Sequence, residues 1–167
     1  MSILFKLFKA LNANQYSSQI AFSFVLGMIM GLTPLFFAHN LVTLAFVFFL
    51  RVNLSALIVA FVAFSGLAYL LDPIFNQLGL MLLNETSLTP LFTEMYNNAF
   101  WRILHFNNSV VIGSVLVAYL LAIPAFILFF ILVKSYRKRF LVWAKKLKIV
   151  QWIKRSEKIK LVIGMMK

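Results

Sequence analysis

Long apolar runs, broken at a few polar points, set the pattern of this chain. Residues 20–53 read IAFSFVLGMIMGLTPLFFAHNLVTLAFVFFLRVN, interrupted only at Thr33-Pro34 and His39-Asn40 before Arg51-Val52-Asn53. A helix over residues 20–34 would cover only about 20 Å and one over 41–50 about 15 Å, against a hydrocarbon core of about 30 Å. Neither half spans comfortably. Pro34 lacks a backbone donor and biases Thr33 away from helix. The pattern therefore predicts a broken or re-entrant helical hairpin over 20–50. Its non-helical turn must be buried in protein or face water. Two short, kinked or tilted spans are the alternative. Gly27 and Gly31, four apart on one helical face, suit close helix approach, within the chain in preference to dimerisation.

Residues 54–71 form an eighteen-residue apolar run, long enough to span, with Ser55, Ser65 and Gly66 as small contact residues. Asp72-Pro73 is expected to end it, with Asp72 capping the next helix or pairing with Arg51. Arg51 either sits at the cytoplasmic edge or, with Asn53, lines a polar site in the membrane. Residues 74–83 read as a short interfacial segment. Residues 84–108 are the polar loop, carrying Glu85, Glu94 and Arg102. Within it Leu91, Phe92, Met95, Phe100 and Trp101 suggest helix lying on the membrane surface. Residues 109–133 are the longest apolar run, about 37 Å as a helix and kinked by Pro124.

Both ends are amphipathic. Ile3, Leu4, Leu7, Phe8 and Leu11 recur at helical spacing around Lys6 and Lys9. Phe140, Trp143, Leu147, Val150 and Ile153 do so among lysines. The predicted fold is thus an all-α integral membrane protein. It has a broken or re-entrant hairpin and about two full transmembrane helices, flanked by interfacial amphipathic helices. The domains are 1–19, an entry helix; 20–133, the membrane domain; and 134–167, a basic tail.

Composition sharpens this. Of 167 residues 63% are hydrophobic, which excludes an ordinary soluble domain. Residues 134–167 hold twelve Lys/Arg and one Glu, +11 of the net +12. Beside a membrane span, that run obeys the positive-inside rule, so no nucleic-acid partner is implied. The basic-then-apolar start mimics a signal peptide but has no small-residue cleavage site, and is read as retained. With tail and N-terminus both cytoplasmic, the number of crossings is even. Residues 20–50 must then return to the side where they began, and 84–108 face away from the cytoplasm. The chain has no cysteine, and its two histidines, His39 and His105, lie far apart with no carboxylate triplet beside them. No nucleophile–base–orienter set is visible, so no enzyme, metal or cofactor is expected.

Ile20-Ala21, Gly27-x-x-x-Gly31-x-x-Pro34, Leu50-Arg51-Val52-Asn53, Asp72-Pro73 and Leu78-Gly79, in that order, resemble an uncharacterised bacterial membrane family, domain-of-unknown-function family 2062. The likeness covers roughly residues 15–83. It departs twice: Ser17 or Ser18 stands for a proline, and Asp72-Pro73 for Asn-Pro. The whole chain is most similar to a small branch whose gene is paired with that of a large envelope protein. That protein is itself similar to bridge-like carriers of lipid between membranes. The resemblance implies a non-catalytic inner-membrane subunit anchoring a larger, periplasm-spanning partner among membrane phospholipid. Gly27, Gly31, Pro34, His39, Asn40, Arg51, Asn53 and Asp72 are the candidate contacts to partner or lipid. A small-solute or ion transporter acting as an oligomer is a second reading, since broken helices build such sites. A membrane module for a lipid-linked sugar enzyme is a third, because relatives of the family occur fused to glycosyltransferases.

Overall fold

The computed structural model describes residues 16–50 and 52–140, and among these every regular element is helical. Helix α1, Ser17–Leu32, starts where Gln19 Oε1 accepts from the Tyr16 N–H at 3.2 Å. It stops at Thr33, extended at φ −105° and ψ 151°, as the following Pro34 demands. Helix α2, Ala38–Phe49, ends in extended backbone at Leu50. Asn53 then caps α3, Leu54–Leu83, its Oδ1 accepting from the Ala56 N–H at 2.9 Å. A 3-10 turn, Thr86–Leu88, leads to two short helices, α4, Thr89–Asn97, and α5, Ala99–Ile103. Asn108 caps α6, Ser109–Ser135, which runs through Pro124 into a π-helical turn, Tyr136–Phe140.

Glycines set the helix crossings. A Cβ at Gly27 would meet the Leu57 carbonyl and Ala60, and one at Gly31 the Phe61 carbonyl, Phe64 and Ser65. Contacts that advance together along both helices make α1 and α3 parallel neighbours. This is the close packing within one chain expected of the Gly27–Gly31 pair. Gly79 meets the Ser109 backbone while Gly113 meets Phe75, so α3 and α6 run antiparallel. Val25, Met28, Ile29 and Leu32 pack with Phe75 and Ala118 in the core between the three helices. Ile20, Ala56 and Val133 close one end.

Parallel α1 and α3 require the chain between them to come back. It does: the Asn53 backbone N–H donates to Ser23 Oγ at 2.6 Å, and Ser23 Oγ donates to the Gln19 carbonyl at 2.7 Å. The excursion through α2 therefore begins and ends at one end of the bundle. At its far end Phe37 packs edge-on against His105, with ring centroids 5.0 Å apart.

Two expectations are corrected. Asp72-Pro73 does not end the second apolar run. Residues 54–71 and 74–83 form one 30-residue helix, and Asp72 caps nothing. Pro73 withholds only the one N–H that would reach the Tyr69 carbonyl. Beyond it Phe75, 1% exposed, and Gly79 bury against α6 and hold the helix together. Residues 74–83, expected as a separate interfacial segment, thus belong to α3, and 84–108 lie between the long helices. Among the described residues Gly66 makes no helix contact, since a Cβ there would meet nothing within 4 Å. The amphipathic segments at 1–12 and beyond Phe140, and Arg51, lie outside the described residues.

At about 1.5 Å per residue α3 is about 45 Å long and α6 about 40 Å. Both are long and apolar enough to cross a membrane. Only 28% of the apolar window in α3 and 6% of that in α6 is buried inside the protein.

Candidate functional site

The hairpin tip is built around Asn40. Pro34 stops α1, so the carbonyls of Pro34 and Leu35 have no helical partner. Asn40, 3% exposed, turns its amide inward, and Nδ2 donates to the Pro34 carbonyl at 2.9 Å. The Thr33 hydroxyl donates back to the Ile29 carbonyl at 2.8 Å and lies 3.2 Å from Asn40 Oδ1. Both side chains are buried, and the break is satisfied by its own polar groups. Unsatisfied in apolar surroundings, such groups would cost about 2–7 kcal/mol each. Outward the tip is apolar: Phe36 is 96% exposed.

Among the sequence-predicted residues, Pro34 and Asn40 thus meet at the tip. Gly27 and Gly31 are buried against α3, so their faces are closed to an outside partner. Asn53 belongs to the opposite end, where it caps α3 and binds Ser23. Asp72 sits partly buried inside α3, apart from the others, with no hydrogen-bond or ion-pair partner among the described residues.

His39 faces somewhere else. With Leu41 and Val42 of α2 it lines a cavity of about 630 Å³. The opposite walls are Phe100 and Trp101 of α5 and Val111, Val115 and Tyr119 of α6. Leu104, Phe106 and Ile112 complete the lining. The His39 ring stacks on Phe37 with planes 8° apart. Its Nε2 is buried and has no hydrogen-bond partner among the described residues. His105, at φ 52°, turns the chain from α5 toward α6 while its Nδ1 lies 2.8 Å from the Ile103 carbonyl.

Sequence reasoning missed most of this cavity. Its walls come from 39–42, 100–106 and 111–119, and no spacing along the chain relates them. It also missed Ser23 as the anchor of Asn53, and Ser109, whose hydroxyl donates to Asn76 Oδ1 beside the Gly79 crossing. Among the described residues no three His, Asp or Glu side chains gather as a metal site would require.

A relative from Treponema pallidum (strain Nichols), described as an uncharacterized protein, is 27% identical over 134 residues. The match covers 80% of this chain and 83% of that protein. No solved structure matches. The family model described as "Uncharacterized protein conserved in bacteria (DUF2062)" matches residues 3–141, far beyond the 15–83 where the motifs lie. The chain belongs to this bacterial family.

Proposed function

We propose that the chain is a small, non-catalytic subunit of the bacterial inner membrane that anchors and supports a larger envelope protein carrying lipid between membranes. One observation carries the membrane part. The long helices turn most of their apolar surface outward, as with Leu120 and Ile123 of α6, 73% and 74% exposed. Water does not tolerate a continuous apolar face of this size, and a bilayer or a partner helix does. In this reading α1 and α2 form the re-entrant hairpin, with its polar turn sealed by Asn40.

Orientation follows from which groups share an end. Ile20, Ala56 and Val133 meet there, and Lys134, Arg137, Lys138 and Arg139 come directly after Val133. By the positive-inside rule that end is cytoplasmic, and both termini with it. The short helices α4 and α5, with Glu85 and Glu94 nearby, then lie at the other face. A periplasm-spanning partner would dock there. The partner itself rests on the resemblance, in which the gene is paired with that of a large envelope protein.

The polar groups of the break serve its own backbone, which leaves little at the tip to coordinate a solute. That favours a supporting subunit over a transporter. Purification of the full chain from membranes in mild detergent tests the reading. A larger envelope protein should come with it in fixed stoichiometry. A homo-oligomer with no such protein would contradict the proposal and favour the small-solute or ion transporter, and a bound glycosyltransferase would favour the sugar-enzyme module.

A further inference from the structure

We infer that the outward face of α3 around Asp72 docks a transmembrane helix of the partner protein, one that carries an arginine or lysine at the depth of Asp72. The inference rests on the supporting-subunit reading above and says where that partner is held within the membrane.

Charge leads to it. Asp72 is the sole charged residue between 52 and 84, and residues 10–50 and 109–133 contain no Asp, Glu, Lys or Arg. It stands about 27 Å along α3 from Leu54 and about 17 Å from Leu83. A hydrocarbon core of about 30 Å centred on this helix encloses it. The described cations, Arg102, Lys134, Arg137, Lys138 and Arg139, belong to the two ends of the bundle. Asp72 has no hydrogen-bond or ion-pair partner among the described residues. A charge at such a depth is expensive and calls for a partner of opposite sign.

The surroundings narrow the occupant. Ala63, Gly66, Tyr69 and Asp72 step by three, which is one of the ridges along which helices pack. The first three are exposed, Tyr69 at 83%, and Asp72 is half-buried. The glycines at 27, 31, 79 and 113 all lie in crossings inside the chain, but a Cβ at Gly66 would meet nothing within 4 Å. Bare helical backbone is thus left open to close approach from outside, less than two turns from the carboxylate. Pro73 leaves the Tyr69 carbonyl without its helical donor, a second acceptor beside Asp72. Two acceptors side by side suit a side chain with several donors, an arginine fork or a lysine ammonium. Lipid tails have no donor. A second copy of this chain offers none at this depth, because its own membrane helices lack Lys and Arg. A bare divalent cation would need about six oxygens, and no acidic cluster of three gathers here among the described residues.

The test has two arms. In the first, the full chain in nanodiscs of phosphatidylethanolamine and phosphatidylglycerol meets a synthetic helix of about 21 leucines and alanines. One version carries an arginine about 5 Å from its midpoint toward the outer face, with a diazirine-bearing leucine beside it. The other has leucine in place of the arginine. Energy transfer between labels reads association. The arginine helix should bind roughly three- to twentyfold more tightly, the range of an interhelical polar contact. Its adducts should map to Ala63, Gly66, Tyr69 and Pro73. Asp72→Ala should erase the ratio, and Gly66→Leu should weaken binding of both helices. Both variants should unfold close to the wild-type temperature, so that lost binding is not lost fold. In the second arm, Tyr69→p-benzoylphenylalanine is expressed in cells and irradiated. Its adduct should lie on a membrane helix of the larger envelope protein, in a peptide that contains Arg or Lys. Equal binding of the two synthetic helices, or a ratio that survives Asp72→Ala, would overturn the charge pairing. Adducts confined to Leu120 and Ile123 would overturn the α3 face. A Tyr69 adduct on a second copy of the chain would assign the face to a homo-oligomer and overturn the inference. Co-purification of the envelope protein with no adduct from position 69 would overturn it as well, and leave the supporting-subunit reading standing. No envelope protein by either route would overturn both.

Discussion

Gly31 and Gly66 are both glycines in apolar helices, and the structure gives them opposite roles. Any side chain at Gly31 runs into the backbone of α3, at the Phe61 carbonyl and the Ser65 nitrogen, which cannot swing aside as a flexible side chain would. Gly31→Leu is therefore expected to cost about 1–3 kcal/mol or more by overpacking, while the chain still inserts. Gly66→Leu meets open space and should stay within about 0.5 kcal/mol of wild type. Thermal unfolding of the two variants in one detergent checks the pair, and equal losses would refute the α1–α3 crossing. Asn40→Leu keeps the apolar character of the tip but strips the Pro34 carbonyl of its donor. A loss of about 1–3 kcal/mol is expected, with insertion unchanged. A wild-type unfolding temperature would mean that the turn draws its hydrogen bonds from elsewhere.

At the scale of elements, the starts of the long helices were legible because the apolar runs that open at 54 and 109 are local signals. The cap was not: Asn53, expected as a contact to partner or lipid, turns its side chain onto the Ala56 N–H. The break at Thr33-Pro34 was legible for the same reason. Asp72-Pro73 shows where local signals fail. Proline and a possible capping carboxylate point to a helix end, yet Phe75 and Gly79 beyond them pack on Gly113 and Ser109, some thirty residues on, and that burial prevails. The cavity escaped for a like reason, because three separate elements enclose it. The contrast gives a prediction. Asp72→Ala should not lower the unfolding temperature, because no cap bond is lost, whereas Asn53→Ala should cost about 1 kcal/mol. A larger loss at Asp72 than at Asn53 would mean that α3 is two helices after all. The return of the hairpin has its own check. Ser23→Ala leaves the Asn53 N–H without its acceptor at a buried position. It should speed hydrogen exchange at Asn53 by tenfold or more while α6 keeps its protection.

On the scale of the whole molecule, the chain follows one closed path. The chain enters with α1, returns through α2, crosses with α3, passes over α4 and α5, and comes back with α6 to its basic stop. In the proposed membrane reading, two long helices and a hairpin that begins and ends at Ser23 give an even number of crossings, with the outward apolar faces of α3 and α6 toward the bilayer. The proposed partner site depends on that path, because it decides which face holds the short helices. The absence of native cysteine makes the path directly measurable, since any thiol introduced is the sole one. Single cysteines at Ser2, Ser87 and Lys167 can be challenged in intact spheroplasts with a membrane-impermeant maleimide. Ser87→Cys should be labelled at once, while Ser2→Cys and Lys167→Cys should be labelled only after lysis. Labelling of Ser2→Cys or Lys167→Cys from outside, or protection of Ser87→Cys, would contradict that path.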